Sequence, residues 1–261
     1  FVTIFSLAPV SILIGSSISL ILVLIICLFF TLLNFKKDFF HLVNDKTILI
    51  LILLNIYLIF NSLISVDFDS GFKRNFGFVR YIFLFLAINY FIKVSNNLDK
   101  VFQFWTIILL IVFFDIFYEF LNGQNILGFV SENPKRIVSF FKDEQVVGAF
   151  LNGFIFIIIG FLFQKFEEKK TYEKFFIIFF ISFAILSMIF TGERSNTIKL
   201  FFGLAIFFYF NDKIKFKHKV IFVFSFIFLF LIIYNYFLST GGKNHIKHRY
   251  YNDFVQRIII K

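Results

Sequence analysis

A chain of 261 residues that is 59% hydrophobic, with a mean hydropathy of +0.88, is too apolar to be a soluble domain. Its net charge of +10 is ordinary for the loops of a membrane protein and points to no nucleic acid. The one cysteine, Cys27, lies in an apolar run, which excludes disulfides within the chain and thiolate metal sites.

Segments of about twenty apolar residues recur, each long enough to cross about 30 Å of hydrocarbon. The pattern predicts an all-α fold: a polytopic transmembrane bundle of about eight helices. The first helix is expected over residues 9–33, with Pro9 suited to a helix start. The next ones fall at 47–65, 78–94, 101–121, 146–163 and 175–190, followed by a short one at 197–210 and an eighth at 220–238. No cleavable signal peptide is expected, because the first apolar stretch is too long and lacks a basic leading region. The chain starts at Phe1 and stops in mid-pattern at Lys261, so it reads as a fragment of a longer protein. Residues 1–238 form the membrane region, including one longer outer loop at 122–145, and 239–261 begin a larger periplasmic loop.

The connecting segments alternate in character. One set is rich in lysine: Lys36, Lys37 and Lys46, then Lys93 and Lys100, then Lys165, Lys169, Lys170 and Lys174, then Lys213, Lys215, Lys217 and Lys219. The positive-inside rule turns these to the cytoplasm. The other set holds all six arginines: Arg74, Arg80, Arg136, Arg194, Arg249 and Arg257. Its segments are 67–77, 122–145, the turn 192–196 and the tail from Ser239, with Arg80 just past the first of them in the first turn of the next helix. A guanidinium is a planar fork that grips phosphate with two parallel hydrogen bonds, whereas an ammonium is a mobile point charge. A one-sided set of arginines therefore suggests a phosphate-bearing ligand. Ile126, Leu127, Phe129, Phe140 and Phe141 in the long outer loop suit packing against the bilayer surface.

Arg194 opens a helix whose N-terminus points outward, where free N–H groups and the positive dipole end favour an anion and disfavour a cation. Arg80 repeats the anomaly in the first turn of its helix. A phosphate bound between them would account for both; snorkelling to lipid headgroups would as well. Asp115 and Glu119 are four residues apart on one helical face, and carboxylates there need partners. Arg80 or Arg136 could pair with them, or the acids could act on a sugar hydroxyl, pairing being the favoured role. Lys142, Asp143 and Glu144 lead into the next helix, with Asp143 suited to capping it. His245 and His248 could be a metal pair, but no third ligand is near and the surroundings are cationic. Either one, or Glu144, is a weak candidate for a general base.

These residues resemble a family. Asp115, Tyr118, Gly123, Asn125-Ile126-Leu127-Gly128, Arg136, Ser139 to Glu144, Gly148 and Leu151 resemble the central loop of bacterial O-antigen polymerases and ligases. Phe190-Thr191-Gly192-Glu193-Arg194-Ser195-Asn196 resembles the turn that opens their shared ligase domain, usually Thr-Gly-Ser-Arg-Gly. Glu193 and Asn196 depart from it. His248 to Phe254 is similar to the start of the family's large periplasmic loop. The resemblance runs from about Phe72 to the end. It implies a metal-independent, cofactor-free, inverting glycosyltransferase in the inner membrane, with its active face in the periplasm. The donor would be a glycan on undecaprenyl pyrophosphate and the acceptor a sugar of a glycan or of a lipid A-core type molecule. Arg194 and Arg249 would match the pyrophosphate arginines, with Arg80 and Arg136 as further candidates and Asp115, Glu119 and Asp143 in support. The family's late histidine has no match, so the base is expected beyond residue 261. A flippase or transporter of lipid-linked oligosaccharide is the alternative; it should show broken helices and charges near the bilayer midplane. A scaffold subunit without activity is a third reading.

Overall fold

The computed structural model describes residues 2–34, 46–94, 98–131, 136–142, 144, 146–165 and 171–211. Among them every regular element is a helix, and six segments are long and apolar enough to span a membrane. The protein is a multi-pass helical membrane protein. The eighth expected helix and the tail from residue 239 lie outside the described residues, as do Asp143, His245, His248 and Arg249. The chain forms two compact units, Phe1–Phe104 and Trp105–Lys261.

The first unit contains α1 (Val2–Ser6), α2 (Ala8–Ile14), α3 (Ser16–Asn34), α4 (Lys46–Leu63), α5 (Phe68–Phe76) and α6 (Val79–Val94), together with the start of α7 (Leu98–Asn122). Pro9 does stand in the first turn of a helix. The single helix expected over 9–33 is in fact broken at Gly15, whose φ of 152° and ψ of 162° are open only to glycine. α3 packs on α6, with the Phe30 and Tyr90 rings edge-on at 5.8 Å.

The segment 67–77, expected to be a loop, is mostly the helix α5. Its apolar residues Phe68, Phe72 and Phe76 recur every four positions and stack along one face. Asp67 caps it by accepting from the Ser70 N–H at 3.2 Å. Hydrogen bonds from the Ser70 side chain and backbone hold the exposed Asp67 carboxyl below its ordinary pKa, so the charged cap persists at neutral pH and is lost only as the pH falls through that lowered value. Beside that stripe, the Gly71 and Asn75 face of α5 meets α4 through polar groups. Asn75 donates to the Leu58 carbonyl at 2.9 Å and to Ser62 Oγ at 2.7 Å, and its own carbonyl accepts from Asn55 at 2.9 Å. Gly71 lies against Ser62 and Ser65, where any larger side chain would crowd the contact. Asn75→Ala should therefore loosen α5 from α4 by about 1–2 kcal/mol. Trypsin should cut faster at Lys73 and Arg74 in the purified variant; an unchanged cleavage rate would show that the polar seam does not hold α5.

The second unit contains the rest of α7, a 3-10 turn at Ser139–Phe141, α8 (Val147–Lys165), α9 (Thr171–Phe190) and α10 (Arg194–Phe210). α10 is the short seventh expected helix; its 17 residues rise about 25 Å, less than a full span. α8 and α10 run parallel. Residues 148 and 193 meet at one end, and the Phe163 and Phe207 rings meet 5.2 Å apart at the other. α7 and α9 also run parallel, joined by aromatic contacts from Phe113 on Phe180 to Phe120 stacked on Phe190 at 4.3 Å. Lipid tails are as apolar as these side chains, so shape fit and internal hydrogen bonds hold the helices together. Gly203 of α10 supplies one such fit, because the Phe156 ring of α8 occupies the space where a Cβ would stand. The lysines Lys165 and Lys174 lie at one end of this bundle, and the 3-10 turn and the α9–α10 turn lie at the other.

Candidate functional site

That second end gathers the unit's buried acids among the described residues, Asp115, Glu119 and Glu193. Asp115 and Glu119, one turn apart on α7, are both buried. Their expected pairing with Arg80 or Arg136 is not what the structure has. Glu119 accepts from the backbone N–H of Val138 at 3.0 Å and of Ser139 at 2.6 Å. Asp115 accepts from the Ile126 N–H at 2.8 Å and from Ser139 Oγ at 2.5 Å. The physical reason is reach. The loop that follows α7 folds back along it, so its orphan N–H groups arrive at the acids, and a buried N–H must find an acceptor. The two acids clamp the loop from both of its limbs. All four of their carboxylate oxygens accept a hydrogen bond from this loop.

Ser139 is the hub of the clamp. It is fully buried, with a φ of +48°, a left-handed value uncommon for any residue but glycine or asparagine. Its N–H, its hydroxyl and its carbonyl are all used, the carbonyl accepting from Asn125 Nδ2 at 2.7 Å. Asn125 in turn binds Phe129 twice, through its N–H and through Oδ1. Sequence reasoning missed Ser139 and Asn125 as members of this network. The signal available was indirect: two acids on one face near the end of a span require donors from somewhere.

The turn between α9 and α10 forms a second network. Glu193 is buried and does not cap its own helix. Its Oε1 accepts from the Gly148 N–H at 2.8 Å, so it satisfies the first turn of α8 from 45 residues downstream. Its Oε2 accepts a short hydrogen bond from Asn196 Nδ2. Asn152 of α8 donates to the Asn196 carbonyl at 2.9 Å, and Thr197 Oγ1 donates to the Glu193 carbonyl at 2.8 Å. The two positions that depart from the Thr-Gly-Ser-Arg-Gly pattern thus bind each other. The Glu193 carboxyl thus stands at the N-terminus of α8, where it takes up a first-turn N–H.

The Ile137 N–H donates to the Thr191 carbonyl at 3.4 Å, which ties the clamped loop to this turn. Arg136 and Arg194 therefore emerge from two joined segments, and both are half-buried. The Arg136 Nε is buried and has no hydrogen-bond partner among the described residues. Glu144, the described candidate base, is exposed, and its N–H donates to the Phe141 carbonyl. Arg80 belongs to the first unit. It is half-buried, donates to Tyr81 Oη at 3.2 Å and lies 4.9 Å above the Tyr81 ring. No family model, curated protein or solved structure matches the chain.

Proposed function

We propose that this chain is a membrane glycosyltransferase of the O-antigen ligase or polymerase type. It moves a glycan from undecaprenyl pyrophosphate to a sugar acceptor on the periplasmic side of the inner membrane. The observation that carries this reading is the junction of the Arg136 and Arg194 segments through Ile137 and Thr191 at one end of a helical membrane bundle. The resemblance of residues 115–151 and 190–196 to that family supplies the substrate class. The neighbouring acids support the same role, since Asp115, Glu119 and Glu193 are engaged by N–H, Ser and Asn donors.

In this reaction the diphosphate is the leaving group. As the glycosidic C–O bond breaks, negative charge grows on its oxygens. Guanidinium groups fixed beforehand stabilise that charge more in the transition state than in the bound donor. A base takes the proton of the incoming hydroxyl. The transporter reading requires broken helices with charges near the midplane. The break at Gly15 lies in residues 2–34, which carry no charged side chain, so it does not favour translocation.

Arg194→Lys keeps the charge and loses the fork. Glycan transfer by the full-length protein in membranes should fall about ten- to a hundredfold, equivalent to roughly 1.5–3 kcal/mol for one charge-assisted contact. Arg136→Lys should fall in the same range, and the exposed Arg74→Lys should keep its activity. Full transfer by both Arg194→Lys and Arg136→Lys, at equal protein levels, would remove the proposal.

A further inference from the structure

The outer loop that follows α7 presents apolar side chains on a rigid frame. Ile126 and Leu127 are 56% and 62% exposed, and Leu121 and Val130 are as open. No charged residue occurs between Phe120 and Ser131. The loop is not a slack segment whose side chains could turn inward. The Gly128 N–H donates to the Asn125 carbonyl at 2.9 Å, the Phe129 N–H donates to Asn125 Oδ1 at 2.6 Å, and the Ile126 N–H is held by Asp115. Gly128, at a φ of 85°, makes the reversal that points Ile126 and Leu127 outward.

Depth along α7 says what covers them. The rise from Lys100 to Leu121 is about 32 Å at roughly 1.5 Å per residue, close to the thickness of the hydrocarbon core. Lys100 at one boundary sets Leu121 at the other. The exposed residues Ile111, Phe114 and Tyr118 form a stripe on α7 at three- and four-residue spacing that continues into Leu121. Tyr118 has the amphipathic ring that membrane interfaces favour. The Lys142 ammonium lies 5.8 Å from the Phe129 ring, a cation beside the apolar tip where phosphate headgroups would stand.

We propose that residues 121–130 are a bilayer anchor, with Leu121, Ile126, Leu127 and Val130 seated at the boundary between acyl chains and headgroups. This inference rests on the membrane setting alone and not on the glycan reading. The anchor also fixes the level of Arg136, because Asn125 is bonded to Ser139 three residues farther along. A lipid-borne ligand and this arginine would then share one depth.

The test uses the whole chain in vesicles of phosphatidylcholine and phosphatidylglycerol, with Cys27→Ser as background. A nitroxide is attached in turn at Leu127→Cys, Ile126→Cys and, as an aqueous reference, Glu144→Cys. The labels at 126 and 127 should collide more with oxygen than with a water-soluble nickel chelate, and the label at 144 should do the reverse. Labels at 126 and 127 that meet the nickel chelate as freely as the one at 144 would overturn the proposal, since the loop would stand in water. Labels shielded from both reagents would overturn it as well, since protein would then cover the loop. A second reading comes from Leu127→Trp in a Trp105→Phe background. Its fluorescence should be quenched by lipids brominated high on the acyl chain; no quenching at any bromine depth would count against the anchor.

Discussion

Glu119→Ala should destabilise the second unit by about 2–6 kcal/mol, the sum of two unsatisfied buried N–H groups at roughly 1–3 kcal/mol each. Both oxygens of Glu119 are in use, on Val138 and Ser139. Alanine removes both acceptors and brings no water to replace them, because Val138 and Ser139 are fully buried. Ser139 is also held at a left-handed φ of +48°, and without the clamp nothing offsets the cost of that conformation. A local opening of the loop relieves that cost and also releases Asn125 and Asp115 from it. Glu119→Gln keeps one acceptor oxygen and turns the other into a donor, so it should fall between wild type and alanine. Thermal unfolding of the purified protein in detergent reads the order. A Glu119→Ala midpoint within about two degrees of wild type, a shift worth less than about 1 kcal/mol, would mean that the carboxylate is not a clamp.

Glu193→Ala should cost about 2–6 kcal/mol by the same arithmetic, because the Gly148 N–H and Asn196 Nδ2 lose their acceptor together. Gly148→Ala reaches the same contact from the other side. In an open helix it would gain about 1 kcal/mol of helix propensity. Here the added methyl would stand 2.8 Å from Glu193 Oε2 and 3.1 Å from Asn196 Cβ. The carboxylate is pinned at both oxygens, so it cannot yield without losing a bond, and the change should destabilise. The double variant separates this from any general intolerance at the position. With Glu193→Ala as background, Gly148→Ala should become neutral or stabilising. Additive losses in the double variant would mean that the two residues do not act on each other.

These two networks differ in how visible they are in the sequence. Asp115 and Glu119 announce themselves, since two acids four residues apart near the end of an apolar helix demand partners. The sequence offered arginines as those partners, by charge. The structure gives them backbone N–H groups, because the loop comes back along α7 and leaves donors that no water can reach. Glu193 carried no comparable signal. Beside Arg194 at a helix start it reads as a local charge, and only the parallel packing of α8 and α10 brings it to Gly148. The α5 helix was hidden for another reason: nine residues with Gly71, Lys73 and Arg74 look like a charged loop until the four-residue spacing of Phe68, Phe72 and Phe76 is weighed.

Apolar length and lysine-rich interruptions alone determined that this chain is a helical, multi-pass membrane protein, because a bilayer accepts few backbone solutions and helices satisfy their own hydrogen bonds. Sequence likewise marked Pro9 as a helix start and named Arg194 and Arg249, with Arg80 and Arg136, as the candidate phosphate-binding cations. Only the tertiary structure decided where the buried acids spend their hydrogen bonds, which helix Glu193 caps, and that the Arg136 and Arg194 segments meet. Those outcomes depend on donors and acceptors tens of residues apart, and their pairing is set by how the helices pack and how the loop returns, which no local pattern encodes.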